Sequence, residues 1–413
     1  MSRKGLKTGE GGKMRQNEPS PCLKILTLLL AGALTVCLVV TALYLTGTIG
    51  GSPQQSHSLE GERLFDSPIV EAEYIPPPKP EDLAVHYEGD LELPVEGATG
   101  YALLSLYTYA DADYGAGYVS TLYPGQSFRI IQELGDWWQI DVEGVVSWVP
   151  HYLCMINLPD VIPSIVYENS NSSASVFRSS GKPIPNLTGL QLYNTYEFNE
   201  RFQESAYQVP VLYDMSKKIY VAQQLALAQG NTLIIYEGFR PYEVQMLVFN
   251  NLTALINSDP EVWAGVNSPP WTIGWFIVQG VSNHQQGYAI DVSLGAVHAT
   301  ELRVSGSYLY TRITEYEEYA MPTPIHELSA ASVSMAYPVS SLSPDAWYSV
   351  GPAASMNDAA LALQSYCAES GLTPIASEWW HFNDLSLRAR SSGANGDFYI
   401  NKNYSISAVL EDG

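Results

Sequence analysis

The stretch Ser282–Leu294, SNHQQGYAIDVSL, sets a histidine and an aspartate seven residues apart, at His284 and Asp291. Two readings are open. One is a polar loop running into a buried strand. The other is a pair of metal ligands, with Gly287 and Ala289 letting the chain turn and pack closely between them. A lone histidine beside an apolar strand is more often a satisfied structural residue, and an aspartate ahead of a strand is more often a cap. The stretch alone therefore does not decide, and the rest of the chain has to.

Two further clusters carry chemistry, YEGFRPYE from Tyr236 and SEWWHFND from Ser377. Of the seven histidines, His57 and His86 fall in a Pro-rich spacer and His151 in a β-rich stretch, which leaves His284, His298, His326 and His381. A catalytic zinc needs three protein ligands, usually His and carboxylate, with a fourth position kept open. His284, Asp291 and His381 would supply that set. Glu378 lies three residues before His381, so a helical or tight-turn geometry would bring both to one point. A carboxylate beside the metal acts as general base and then returns the proton to a leaving amine.

Taken together, the clusters resemble the M15 family of zinc D,D-peptidases, which includes VanX-type D-Ala-D-Ala dipeptidases and VanY-type D,D-carboxypeptidases. The pattern Ser-x-His-x-x-Gly-x-Ala-x-Asp stands here as Ser282, His284, Gly287, Ala289 and Asp291. Glu-x-Trp-His stands as Glu378, Trp380 and His381, and the dipeptidases' Gly-aromatic-Arg-Pro as Gly238, Phe239, Arg240 and Pro241. SGKPIPN from Ser180 is a fainter echo of the dipeptidases' N-terminal region. The resemblance covers roughly residues 160–390. It implies an α+β, hedgehog/DD-peptidase-like domain holding Zn2+ through His284, Asp291 and His381, with Glu378 as general base. Arg240 would stabilise the oxyanion developing on the substrate carbonyl, a structural salt bridge being the alternative for it. Ser282 would contact a substrate carboxylate or make a loop hydrogen bond. One departure is visible. An aspartate that holds the dipeptide's free amine in the VanX-type enzymes corresponds to the stretch MPTPIHELS, where His326 stands at or near the position and Glu327 beside it. Glu327 would take over the amine contact, or the selectivity for a free dipeptide would be relaxed.

The remaining sequence frames this domain. The chain has 413 residues, too many for one comfortable core, with 46% apolar residues and a net charge of −23. Clustered Lys and Arg, which phosphate binding requires, are not expected on such a surface, so no nucleic-acid partner is expected. Residues 25–45 are 21 residues without a charge, preceded by six Lys or Arg. They read as a transmembrane anchor with residues 1–24 as a cytoplasmic tail and everything after it outside the cell. Residues 46–95 read as a Pro/Gly/Ser/Glu-rich linker. Residues 96–157 carry short β-branched and aromatic runs suited to a small barrel. LYPGQSFRII from Leu122, GDWWQI from Gly135 and GVVSWVPHYL from Gly144 resemble a bacterial SH3-like domain, which implies a cell-wall ligand or a brace for its neighbour. Trp137 and Trp138 are candidates for a stacking surface, at least one of them core.

In residues 158–413, helices are expected over 215–229, from Pro241 to about 256, and over 357–370, with a buried strand at 232–236. Cys154 and Cys367 are read as two buried thiols, with one disulfide as the alternative. The functional expectation is a membrane-anchored zinc metallopeptidase that hydrolyses D-Ala-D-Ala bonds. Its partner would be the free dipeptide or a peptidoglycan stem peptide. The alternative from another class is a non-catalytic cell-wall-binding module.

Overall fold

The computed structural model describes residues 83–394, 396–400 and 407–410. Seven short strands follow one another between residues 99 and 157: β1 (Thr99–Ala102), β2 (Leu106–Tyr109), β3 (Tyr118–Leu122), β4 (Ser127–Leu134), β5 (Trp137–Val142), β6 (Val145–Pro150) and β7 (Cys154–Asn157). All their pairings are antiparallel. The β5–β6 hairpin closes on two residues, Glu143 and Gly144, both with positive φ (51° and 87°), the geometry that matches the right-handed twist of the flanking strands. Along β5 the side chains alternate, so Trp138 is fully buried while Trp137 faces outward against Tyr109 and Tyr114.

The next strand, β8 (Pro210–Leu212), adds antiparallel to β7, giving the order β8-β7-β1-β4-β5-β6-β2-β3. It runs directly into helix α1 (Tyr213–Leu227), whose first residue packs against Trp138 with the ring centroids 4.8 Å apart. The small sheet and the larger domain therefore share one hydrophobic core. Residues Pro76–Gly413 form a single compact unit.

The larger domain is built on β9 (Asn231–Glu237), the long strand β10 (Ala289–Ser305), β11 (Tyr308–Glu318), β12 (Thr373–Ile375) and β13 (Glu378–Asn383). Strand β9 and strand β13 flank the first residues of β10, antiparallel on either side, and β12 lies outside β13. The first seven residues of β10 are all buried, including Asp291 and Ser293. Beyond them the strand pairs with β11 and its burial becomes mixed, as one free face requires.

Helix α1 ends close to Gly230, which takes φ +74°. Helix α2 (Tyr242–Ser258) starts after Pro241, and helix α3 (Asp358–Glu369) is capped by the Asn357 side chain, which accepts from Ala360 N at 3.0 Å. Cys154 and Cys367 are buried free thiols.

Two expectations are corrected at this level. Among the described residues no helix is long and apolar enough to cross a membrane. The run 25–45 on which an anchor was expected lies outside the described residues. The transmembrane part of the expected fold class is withdrawn on that finding. The assignment of a single-pass membrane protein with its catalytic domain outside the cell goes with it. What stands is a mixed α and β domain.

Candidate active site

The polar start of β10 is where the three sequence clusters meet. Asp291 faces Glu237 of β9 on one side and His381 of β13 on the other, because those residues are its partners in the strand register. His284 comes from the turn before the strand. Gly287 takes φ +74° there, and an added Cβ would sit 3.2 Å from Leu212 and Met155. That turn needs glycine for both reasons.

Glu378 does not reach the site by a helix or tight turn, as its spacing suggested. It opens strand β13, where residues three apart should face opposite ways. The ladder with β12 jumps from the Pro374–Phe382 pair to the Ile375–Glu378 pair. The extra residues on β13 form a bulge that re-aims the strand, and Glu378 Oε2 lies 3.8 Å from His381 Nδ1.

The donor atoms converge. His284 Nε2 is 3.1 Å from His381 Nδ1, His381 Nδ1 is 3.0 Å from Asp291 Oδ1, and His284 Nε2 is 3.3 Å from Asp291 Oδ1. Such spacings suit a tetrahedral ion with bonds of about 2.0–2.2 Å. The outer nitrogens are also committed. His284 Nδ1 is 2.8 Å from the Gly238 carbonyl and His381 Nε2 is 3.1 Å from Asn383 Oδ1. A carbonyl oxygen only accepts, so His284 Nδ1 carries the proton and Nε2 keeps its lone pair for the cluster. Carbonyl partners of this kind orient metal-binding imidazoles. The residues present therefore fit a divalent cation.

At Asp291 and His284 charge agrees with geometry, whereas at His381 burial lowers the imidazole but the Asp291 carboxylate outweighs it and raises the group. Burial pushes the Asp291 carboxyl up, but His284, His326 and His381 outweigh it and hold the group well below the usual carboxylate range. Burial lowers His284. An ionised aspartate and a neutral imidazole are the ligand forms a metal takes. At Glu378 burial dominates and raises the carboxyl to about 8.

A second group of potential ligands, Glu237, Asp291 and His326, also converges. It is already neutralised by Arg240, whose Nη2 donates to Asp291 Oδ2 at 3.0 Å and to Glu237, and whose Nε donates to Glu237 Oε2 at 2.8 Å. A guanidinium between the carboxylates leaves no place for a second cation.

The site opens into a cavity of about 460 Å³ walled by Phe177, Trp380, Leu328 and the segment from Gly274 to His284. Of the residues picked from sequence, His284, Asp291, His381, Glu378, Arg240 and Ser282 all line it. The Ser282 hydroxyl accepts from Gln285 N at 3.2 Å, so the loop hydrogen bond is present as well. Arg240 makes the buried salt bridge that was its alternative reading.

Glu327 is not among the lining residues. Its carboxylate accepts from the backbone of Ser180 and Gly181 and from the Ser329 hydroxyl, and with both oxygens engaged it is not free to hold a substrate amine. His326 faces the cavity instead. Sequence reasoning missed Gly238, Asn383 and Glu237 as site residues. Only their places within the YEGFRPYE and SEWWHFND stretches pointed towards them.

The fold and site thus define a polar, metal-competent centre with a buried carboxylate beside it. Similarity to known proteins narrows this. The family model for VanY, D-alanyl-D-alanine carboxypeptidase, matches residues 212–319, which include Arg240, Ser282, His284 and Asp291. A D-alanyl-D-alanine dipeptidase of Escherichia coli (strain K12) is 28% identical over 164 residues, covering 39% of this chain and 61% of the relative. The chain therefore spans about three-fifths of that relative's length. Both similarities support the M15 family and a D,D-peptidase role in general.

Proposed function

We propose that the chain is a zinc-dependent D,D-carboxypeptidase that releases terminal D-alanine from peptides ending in D-Ala-D-Ala. The observation that carries this reading is the convergence of His284 Nε2, Asp291 Oδ1 and His381 Nδ1 beside Glu378 in one cavity. His284, Asp291 and His381 would hold the zinc, which when bound supplies a Lewis acid for the scissile carbonyl and acidifies water. Glu378 takes the proton of the attacking water and delivers it to the leaving amine of D-alanine. Of the five N–H groups of Arg240, one goes to Gln245, one to Asp291 and two to Glu237. The remaining Nη1–H is available to the charge developing on the carbonyl oxygen. Trp380 and Phe177 wall the site.

The choice of an acylated peptide over the free dipeptide rests on the lining. Its carboxylates, among the described residues, are Asp291 and Glu378, and both are committed to the chemistry above. A free dipeptide would bring an ammonium group to a wall without a spare carboxylate. An unmatched buried polar group costs about 1–3 kcal/mol, roughly 5–150-fold in selectivity. The purified full chain with zinc, assayed for D-alanine release, is expected to show about 5–150-fold higher kcat/KM on an N-acylated peptide ending in D-Ala-D-Ala than on D-Ala-D-Ala itself. A preference for the free dipeptide would reverse the substrate assignment. Release from neither substrate by the zinc-loaded chain would favour a non-catalytic binding protein.

A further inference from the structure

His326 lies outside the cluster His284, Asp291 and His381, yet the fold constrains it heavily. Its backbone takes φ +62°, the left-handed region that side chains rarely adopt and that concentrates at functional sites. The conformation is held from outside. Arg178 N donates to the His326 carbonyl at 3.1 Å and Leu328 N donates to the Arg178 carbonyl at 2.8 Å. Glu327 clamps the following turn through Ser180 and Gly181. The imidazole is equally fixed: it stacks on Phe177 at 4.4 Å with an interplanar angle of 16°, and Trp380 meets it edge-on at 6.2 Å.

The result of this bracing is one contact. His326 Nε2 is 3.1 Å from Asp291 Oδ2. A carboxylate oxygen only accepts, so Nε2 donates. The two oxygens of Asp291 are thereby divided. Oδ2 takes His326 and Arg240, while Oδ1 faces His284 and His381.

We propose that His326 is a positioning residue that locks Asp291 with Oδ1 turned to the metal, and so sets metal affinity. The inference rests on the zinc reading above. Arg240 alone leaves the carboxylate free to swing about its single remaining hydrogen bond; the second donor removes that freedom. Outer partners of metal ligands are worth about 10–100-fold in affinity.

The test is zinc affinity of the full chain, measured by competition with a chromophoric chelator, for the parent, His326→Gln and His326→Phe. Phenylalanine keeps the stack on Phe177 and loses the donor; glutamine keeps an N–H donor and loses the ring. Zinc binding is expected to weaken about 10–100-fold in His326→Phe and to stay within a few-fold of the parent in His326→Gln. A merely structural ring would give the opposite ranking. Equal affinity in His326→Phe and parent, or equal loss in both variants, would overturn the proposal. If His326→Phe does not fold, His326→Leu, which also lacks a donor, takes its place. A parent that binds no zinc would overturn the metal reading itself, a result distinct from either of these.

Discussion

Replacing Glu378 by glutamine is expected to lower D-alanine release by about 10²–10⁴-fold while fold and metal binding are kept. Glutamine is close to isosteric, and Glu378 is outside the converging ligand set, so the loss isolates proton transfer. The same variant reports on burial. In the metal-free protein the Glu378 carboxyl is raised to about 8, chiefly by burial, against an ordinary value of 4.5. The unfolded chain therefore ionises this group first. The stabilising contribution of the neutral carboxyl is complete below about pH 4.5 and is lost progressively up to about pH 8. Thermal melts of metal-free parent and Glu378→Gln should then coincide near pH 4.5, with the parent less stable near pH 8. Unchanged turnover in the variant would remove Glu378 from the role of base. Parallel melting profiles would show that its carboxyl is not held out of water as described.

The second large effect concerns Arg240 and Glu237. Arg240→Met is expected to cost about 3–5 kcal/mol, because it leaves Glu237 as a buried and uncompensated charge. Glu237 is fully buried, with Asn171 Nδ2 at 2.9 Å and Tyr193 Oη at 2.6 Å as its other partners. Burial pushes its carboxyl up, but Arg240 outweighs this and holds it below its ordinary value. Adding Glu237→Gln to Arg240→Met removes the Glu237 charge and keeps those hydrogen bonds, so stability should return in part, Asp291 still lacking its Arg240 donor. Activity should not return, and should remain about 10²–10³-fold down if the guanidinium also meets the oxyanion. Denaturant melts with D-alanine assays on the three proteins separate the roles. Recovery of both stability and activity in the double variant would confine Arg240 to the salt bridge.

Much of the site was legible because its parts are local patterns. Gly287 marks the turn after His284, the apolar run at 232–236 marks β9, and Pro241 marks the start of α2. What could not be read joins residues far apart in sequence. The Gly238 carbonyl meets His284 across 46 positions, and His326 meets Asp291 across 35. No periodicity encodes such pairs. The Glu378 geometry failed differently: the spacing was right, but a bulge in a strand brings the side chains together rather than a helix or turn. Glu327 illustrates a third limit. As an acid beside the expected amine position it was a sound candidate, until its oxygens proved to be taken by the backbone of Ser180 and Gly181. The apolar run 25–45 was read from composition alone, and the described residues contain no membrane-spanning helix.

In the proposed mechanism His284, Asp291 and His381 hold a zinc ion on which peptide hydrolysis depends. The direct measurement is D-alanine release from an N-acylated D-Ala-D-Ala peptide by the full chain, first stripped with chelator and then titrated with zinc. The structure predicts no release from the stripped protein and restoration that saturates near one zinc per chain. Release that persists undiminished after the metal is removed, or that fails to appear when zinc is bound, would contradict it.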